Sequence, residues 1–240
     1  MSKEWFLLRK CLITASQLGK VTGLCRYGSR GEAYRKYALG IEPKRTPVAL
    51  RHMARGKACE PHIIEQFYRA TGFFCEPSYF FARGKVGATP DTVAFVTRDE
   101  KGKAPYHAAV EVKCPLSMHS DAWQGGEQPP VEHVVQLYCQ CYCCNLEDGF
   151  LVAGGSDGFK VWQFRFNMEA WRQCIEPGVN EMLLRVAMEN PPPMQNGKKD
   201  LIAEFLRLAT APGYMRVYID EQPPSPDLVH AIEISWGVRE

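Results

Sequence analysis

The sequence lacks three features that would assign a protein to a membrane, to secretion or to a repeat architecture. None of its apolar stretches approaches the length of a membrane-spanning helix, about 20 residues. The N-terminus, Met-Ser-Lys-Glu-Trp-Phe, lacks the apolar core of a signal peptide. No segment is repeated or of low complexity. We therefore expect an intracellular protein that is not secreted.

An excess of charge of one sign is also missing. The net charge is +2 and the pI about 8.0, which is less basic than is usual for a protein that neutralises phosphates. The basic residues are denser in the first 60 residues, where the only acidic residues are Glu4, Glu32, Glu42 and Glu60. This distribution predicts a groove lined with positive charge, and the alternative is the solvated face of a helical segment.

The sequence contains ten cysteines but lacks the secretory signal that would accompany a disulfide framework. We expect free thiols in a reducing compartment. Four cysteines lie between positions 139 and 144, but their spacing is not the C-x-x-C of a zinc site. A helix is predicted at residues 132–146, on which Cys139 and Cys143 share a face. We interpret these cysteines as small buried residues, with a role as iron–sulfur ligands as the alternative.

Two short segments carry the residues that indicate chemistry. Asp91 ends the sequence Gly-Ala-Thr-Pro-Asp and lies near the end of a strand predicted at residues 85–88. Residues 108–113 are predicted to form the next strand, on which Glu111 and Lys113 share a face because they are two apart. Carboxylate oxygens are ligands for Mg²⁺ or Mn²⁺. A lysine beside them can orient the attacking water or neutralise charge on a phosphate.

The alternative for these segments is an acidic turn followed by a pair of surface strands. The other residues of the second strand are apolar, so Glu111 and Lys113 occupy an element that we expect to be half-buried. Charged groups are rarely placed there without a partner or a metal. The pattern therefore favours a metal-dependent phosphodiesterase.

The same segments resemble the PD-(D/E)XK nuclease superfamily. More narrowly, they are similar to the phage lambda exonuclease and YqaJ-like viral recombinase branch, to which herpesvirus alkaline nucleases are distantly similar. The matching residues occur in the order of that branch: Arg9 and Ser16 in an Arg…Ile-Thr-Ala-Ser segment, Glu60 in a Gly-x-x-x-Glu helix, Asp91, Glu111 with Lys113, and Gln136 in a Tyr/His-x-x-Gln helix. The resemblance covers roughly residues 5–190.

The resemblance implies an α/β fold with a restriction-endonuclease-like core, in which helices flank a central mixed β-sheet. Residues 1–190 would form the exonuclease domain. Residues 191–240 would form a C-terminal extension with a helix and an irregular tail. A length of 240 residues suits one larger domain with such an appendage.

The resemblance further implies a Mg²⁺-dependent deoxyribonuclease, with Mn²⁺ as a substitute and two ions in each active site. The enzyme would digest one strand of linear double-stranded DNA from a 5′-phosphate end. The remaining 3′ overhang would pass to a single-strand annealing protein in viral or prophage recombination. The compartment would be a bacterial cytoplasm or, for a eukaryotic virus, the nucleus. Because lambda exonuclease is a ring-shaped trimer, a homo-oligomer is a further expectation.

Three alternatives to this function stay open from the sequence. An endonuclease or an RNA-cleaving nuclease would share the core chemistry of the fold. A catalytically inactive nucleic-acid-binding module would keep the fold without the reaction. The intact set of Glu60, Asp91, Glu111 and Lys113 argues against loss of catalysis.

The resemblance also implies a role for each matching residue in the acidic site. Asp91 and Glu111, with the carbonyl of Val112, would hold the catalytic metal. Glu60 would complete a second metal site, unless it is an ordinary acid on a helix surface. Lys113 would orient the attacking water.

Two matching residues lie on the helix predicted at 132–146. Gln136 would hydrogen-bond Lys113 or the attacking water. The alternative is that Gln136 and Gln140, one turn apart, form an ordinary polar stripe. His133 stands where relatives often have tyrosine, so a role that depends on that hydroxyl stays open.

The N-terminal residues are expected to bind DNA. Arg9 precedes the first predicted helix and Ser16 lies at its N-terminus. Together they would bind a terminal 5′-phosphate. Arg26 is a further candidate for a DNA contact. The alternatives are that Arg9 is an exposed base and that Ser16 is only a helix N-cap.

Periodicity and turn residues predict the remaining elements. Helices are expected at residues 14–24, 31–39, 53–71, 132–146, 168–188 and 200–210. Strands are expected at residues 78–82, 85–96, 108–114, 149–154 and 160–166. Beyond residue 212 the pattern is weak and allows a docking arm, an edge strand at residues 216–219 or a mobile tail.

Overall fold

The computed structural model describes residues 12–26, 28–97, 105–193 and 198–235, with the backbone alone at 124 and 125. Its helices are α1 (Ala15–Thr22), α2 (Arg30–Leu39), α3 (Pro47–Thr71), α4 (Val131–Cys144), α5 (Met168–Ala170), α6 (Glu176–Ala187), α7 (Lys199–Ala209) and α8 (Pro226–Ser235). A 3₁₀ helix spans Asp121–Gly126, and a π-helical turn at Trp171–Ile175 joins α5 to α6. The single helix predicted at residues 168–188 is therefore a helical path with a widened turn in it.

Nine strands lie in the described residues. They are β1 (Ile13–Thr14), β2 (Phe74–Pro77), β3 (Phe81–Arg83), β4 (Val86–Ala88), β5 (Thr92–Val96), β6 (Tyr106–Lys113), β7 (Asp148–Gly154), β8 (Phe159–Arg165) and β9 (Met215–Gln222). Six of them form a sheet in the order β2-β5-β6-β7-β8-β9, in which β6 and β7 are parallel and the other neighbours antiparallel. The other three form a small sheet in the order β1-β4-β3. A mixed sheet flanked by helices confirms the predicted fold class.

The strand predicted at residues 85–96 is wrong as a single element, because the chain changes sheets within it. Ala88 pairs with Phe81 in the small sheet, whereas Thr92 pairs with Pro77 and Val110 in the large one. Pro90 lies between the two strands and has no N–H to donate to a ladder. The break places residues 89–91 at the junction of the two sheets.

The large sheet has a hydrophobic core on each face. One core contains residues of α1, α4, the π-helical turn and α7, and the other contains residues of α3 and α8. Along β6, Ala109 belongs to the first core, whereas Val110 and Val112 belong to the second. Because strand side chains alternate, Glu111 and Lys113 point toward the α4 side with Ala109.

Helix α3 begins earlier than predicted and carries Glu60 near its middle. Thr46 caps the helix by accepting a hydrogen bond from the backbone N–H of Ala49 at 3.1 Å. The helix continues through Pro61. It therefore extends for 25 residues and presents Glu60 from within a continuous helix.

The C-terminal segment packs on the sheet and on α3. Strand β9 is the edge strand of the large sheet, which is one of the three structures that the sequence left open. The side chain of Gln66 donates to the carbonyl of Pro223 at 3.0 Å and accepts from the N–H of Ser225 at 2.9 Å. Helix α8, which the sequence pattern did not reveal, follows this contact. None of the helices in the described part of the chain is long and apolar enough to cross a membrane.

Candidate active site

Asp91 and Glu111 are brought together by the pairing of two neighbouring strands. Asp91 lies just before β5, and its backbone N–H donates to the carbonyl of Val110 at 3.0 Å. Its Oδ2 accepts a hydrogen bond from the backbone N–H of Val112 at 2.7 Å. These two bonds hold the Asp91 carboxylate beside the end of β6, where Glu111 and Lys113 lie.

Glu111 is a buried carboxylate with a contact to each of its oxygens. Its side chain is 1% exposed. Lys113 Nζ contacts Oε1, and Gln140 Nε2 donates to Oε2. Lys113 Nζ also donates to Gln136 Oε1 at 3.4 Å. The two glutamines of α4 therefore reach the pair from the helix that covers this face of the sheet.

Glu60 approaches the site from α3, on the other side of the sheet. It is half-buried. Burial raises the pKa of its carboxyl, and the negative charge of Glu111 raises it further, while the positive charge of Lys113 opposes the rise. Glu60 therefore interacts electrostatically with Glu111 and Lys113 on β6, although no hydrogen bond joins it to either residue within the described residues.

The Asp91 carboxyl has a strongly raised pKa. Burial raises its pKa from the ordinary 3.8 to about 8, and repulsion from Glu111 adds to the rise. The positive charge of Lys113 and the N–H of Val112 act in the opposite direction. At neutral pH this carboxyl is therefore mostly protonated in the metal-free protein.

Lys113 keeps its positive charge in the site. Burial alone would lower the pKa of its ammonium group, but the carboxylates of Glu111 and Asp91 outweigh burial and raise it. Burial also lowers the pKa of His133 well below its ordinary value, and the charge of Lys113 lowers it further. The His133 ring, 5.6 Å from that of Trp123, is therefore neutral and Lys113 is the cation.

The residues of this site suit a hard divalent cation by their chemistry. Three carboxylates and a backbone carbonyl supply oxygen donors, which Mg²⁺ and Mn²⁺ prefer. The raised pKa values of Asp91 and Glu60 come first from burial and then from repulsion by Glu111, and a cation would offset that repulsion. The described residues contain no group of three or more His, Cys, Asp or Glu side chains arranged to hold a metal ion. In this arrangement the oxygens of Glu111 contact Lys113 and Gln140 instead.

The residues predicted to bind DNA are placed differently. Arg9 lies outside the described residues. Ser16 is exposed in the first turn of α1, with its Oγ 3.5 Å from Thr14 Oγ1. Thr14, rather than Ser16, is the N-cap residue of that helix. Arg26 donates to the carbonyl of Ala122 at 3.5 Å, on the connection that follows β6. Within the described residues, no hydrogen bond joins Ser16 or Arg26 to the acidic site.

Gln140 is the residue of this site that the sequence did not single out. Its spacing of one helical turn from Gln136 was the available signal, and it equally suited an exposed polar stripe. The structure instead buries Gln140 completely, with 0% exposure, against Glu111.

Three of the four cysteines of α4 lie within the core, and the fourth, Cys144, is half-buried. Cys139, Cys141 and Cys143 are buried and their thiols are free. Their burial agrees with the interpretation of these positions as small core residues.

The fold is shared with an exonuclease of known structure. The structure is similar to that of an alkaline exonuclease, LHK-Exo, from Laribacter hongkongensis, with a TM-score of 0.61 and 19% identity. The similarity covers 87% of this chain and 100% of that one. The structure of LHK-Exo in complex with dAMP matches equally, with a TM-score of 0.60, 20% identity and the same coverage of both chains.

The sequence profile of YqaJ-like viral recombinase domains matches residues 4–147. This span is more than half of the chain, so the chain belongs to the YqaJ-like viral recombinase family. A comparison with the curated proteins finds no match. The family and the fold predicted from the motifs are confirmed, and together they support the predicted enzyme class.

Proposed function

We propose that the chain is a Mg²⁺-dependent exonuclease, with Mn²⁺ as a substitute, that digests linear double-stranded DNA from the 5′ end. The observation that carries this proposal is the grouping of Asp91, Glu111 and Lys113 at the ends of two paired strands. A 3′ overhang would remain for annealing to a complementary strand. Membership of a recombinase family supports that outcome.

The proposed mechanism assigns a task to each residue of the acidic site. Asp91, Glu111 and the carbonyl of Val112 would hold one cation, and Glu60 would complete a second site. Bound divalent ions supply an activated water and stabilise the attacking and leaving oxygens. Lys113 directs its ammonium group toward the attacking water or the phosphate oxygens. Gln136 accepts a hydrogen bond from Lys113 and so holds the direction of that group.

A nucleoside monophosphate is the product that this reaction would release. The alkaline exonuclease of the same fold has been crystallised in complex with dAMP, which supports a product of that kind. The proposal also includes two partners, a single-strand annealing protein that takes over the overhang and further copies of this chain in a ring-shaped oligomer. Arg9, Ser16 and Arg26 are the proposed contacts to the DNA end.

Digestion of matched duplexes tests the proposal. We expect linear duplex DNA to be degraded with Mg²⁺ and not with EDTA, and covalently closed circles to stay intact. A 5′-phosphate should speed digestion over a 5′-hydroxyl about 10- to 100-fold, because each charge-assisted bond to the additional phosphate charge contributes roughly 1.5–3 kcal/mol before salt weakens it. Arg9→Ala should narrow that difference.

The same assay separates the proposal from its rivals. Rapid cleavage of closed circles, or indifference of the wild type to the 5′ group, would support an endonuclease instead. Faster cleavage of RNA would indicate a different substrate for the same chemistry. Binding of DNA without any cleavage would leave only an inactive binding module.

A further inference from the structure

The side chain of Gln140 is placed where no solvent reaches it. It has 0% exposure, whereas Gln136, one turn earlier on α4, is half-buried. A primary amide is costly to bury without hydrogen bonds. In the described residues the Nε2 of Gln140 has two acceptors, Glu111 Oε2 and the carbonyl of Thr89, whereas its Oε1 is buried without a hydrogen-bond partner. Its position in the interior therefore argues against a surface polar stripe and for a specific contact.

That contact is to the carboxylate of Glu111. Gln140 Nε2 donates to Glu111 Oε2, while Lys113 occupies the other oxygen. A carboxylate that is 1% exposed needs such donors, because burial has removed its water. The two donors come from different elements, α4 and β6, so the orientation of the carboxylate is fixed from two directions.

Gln140 also contacts the segment that carries the other carboxylate. Its Nε2 lies 3.4 Å from the carbonyl oxygen of Thr89, two residues before Asp91. One amide nitrogen therefore joins α4, the end of β6 and the turn between the two sheets. The hydrogen bonds of Asp91 to Val110 and Val112 join the same turn to β6 independently.

The chemistry of an amide explains why glutamine suits this position. A lysine or arginine would orient Glu111 equally well but would add a second positive charge beside it. A neutral amide donates a hydrogen bond and leaves the carboxylate its full charge for a cation. Groups that hold a metal-binding carboxylate in this way commonly change metal affinity 10- to 100-fold when they are mutated.

On the basis of the proposed metal-dependent function, we propose that Gln140 is a positioning residue that holds Glu111, and the turn before Asp91, in the arrangement that binds the divalent cation. It acts through Glu111 and does not contact the reacting atoms. Gln136 differs from it, because it contacts Lys113 rather than a carboxylate. The two glutamines of one helix therefore have separable effects on cation binding and on turnover.

Calorimetric titration with Mn²⁺ in the absence of DNA tests this separation. Gln140→Met, which keeps the length of the side chain and removes its donors, should weaken Mn²⁺ binding about 10- to 100-fold. It should raise the Mn²⁺ concentration needed for half-maximal digestion by a similar factor, with the KM for DNA unchanged. Gln136→Met should keep Mn²⁺ affinity within about two-fold of the wild type and lower kcat.

Cys141→Ala is the matched control for general damage to α4. Cys141 is a buried neighbour of Gln140 that belongs to the core and not to the site. This control should lower Tm without changing Mn²⁺ affinity. If Gln140→Met does not fold, Gln140→Asn serves instead, since it keeps the amide but shortens the reach by one methylene. It should weaken Mn²⁺ binding at least three-fold.

A double-mutant cycle in EDTA tests the contact without any metal. The losses of unfolding free energy in Gln140→Met and Glu111→Met should not add, because each substitution removes one partner of the same hydrogen bond. Strict additivity, or normal Mn²⁺ affinity in a folded Gln140 variant beside a wild type that binds Mn²⁺, would overturn the role of Gln140 alone. A wild type that binds no Mn²⁺ would overturn the proposed function, and the role of Gln140 with it.

Discussion

The acidic site has two halves that differ in how their charges are compensated. In the paired half, which consists of Glu111 and Lys113, the carboxylate contacts both an ammonium group and the amide of Gln140. In the open half, which consists of Asp91 and Glu60, burial and repulsion from Glu111 raise the pKa of both carboxyls. The folded protein therefore compensates the charge of Glu111 with its own side chains. The charges of Asp91 and Glu60 are not compensated to the same extent, so a bound cation would stabilise them.

The difference indicates where a cation would act on this site. With its pKa at about 8, the Asp91 carboxyl of the open half holds a proton at neutral pH, and a metal ion must displace that proton because its ligands bind in the deprotonated form. In the paired half, Lys113 already supplies a positive charge beside Glu111. A cation would therefore be exchanged for protons mainly at Asp91, while Lys113 stays available for the phosphate.

Removal of a carboxylate from either half should have the largest effect. We expect Asp91→Ala and Glu111→Ala each to abolish Mg²⁺-dependent DNA digestion and to leave the fold intact, because each removes a direct ligand of the proposed ions. Glu204→Ala, at an acid that forms a surface ion pair with Arg207, is the control. Near wild-type activity in either site variant would show that the metal is bound elsewhere.

Removal of the Lys113 ammonium group from the paired half should reduce turnover without preventing metal binding. We expect Lys113→Ala to lower kcat by at least ~100-fold, the scale of losing one group that stabilises charge in the transition state. Mn²⁺ titration should still show binding, and Lys199→Ala, at an exposed lysine, should match the wild type. A Lys113→Ala protein that loses Mn²⁺ binding but keeps its residual rate would contradict the role assigned to Lys113.

Replacement of the Asp91 carboxyl by a neutral amide should raise the stability of the fold while keeping the hydrogen bond to Val112. The pKa of Asp91 is raised in the folded state, so its contribution to stability is fully present below pH 3.8 and is lost as the pH rises through about 8. Asp91→Asn can still accept from the N–H of Val112 and avoids that loss. In EDTA at pH 8.5 it should raise Tm by about 2–4 °C, the shift for roughly 1 kcal/mol at this size.

The pH dependence of the Tm difference between Asp91→Asn and the wild type shows whether the charge of Asp91 causes it. The difference in Tm should shrink toward zero well below pH 3.8, where Asp91 is protonated in the folded and unfolded chain alike. Added Mn²⁺ should stabilise the wild type and not the variant. A gain that is equal at both pH values would have a cause other than the charge of Asp91.

Sequence reasoning located the acids because strand periodicity is local. The two-residue spacing of Glu111 and Lys113 fixes their common face wherever β6 lies, and Asp91 follows from the carboxylate that precedes this strand in the sequence. The resemblance to a family supplied Glu60 and Gln136. The break in the strand predicted at residues 85–96 was not visible. It depends on the pairing of Ala88 and Thr92 with partners in different sheets, which are contacts distant in sequence.

The acidity of the site and the contacts around its carboxylates could not be predicted from the motifs. The raised pKa of Asp91 comes first from burial, which only the packed structure determines. The role of Gln140 depends on α4 packing directly over β6, since an exposed glutamine has the same sequence spacing. Strand β9 was one of three structures that the sequence allowed, and α8 was not predicted, because the weak pattern beyond residue 212 depends on contacts with β8 and with Gln66.

The central claim, that the open half exchanges a proton for a divalent cation, is tested most directly by the protons released on Mn²⁺ binding. Calorimetric titration at pH 7 in buffers of different ionisation enthalpy measures that number. With the pKa of Asp91 at about 8, the wild type should release close to one proton per ion at pH 7 and almost none at pH 9.5. Asp91→Asn should lose both the release and most of the affinity. Mn²⁺ binding with no release of protons at pH 7, or no binding at all, would contradict the account.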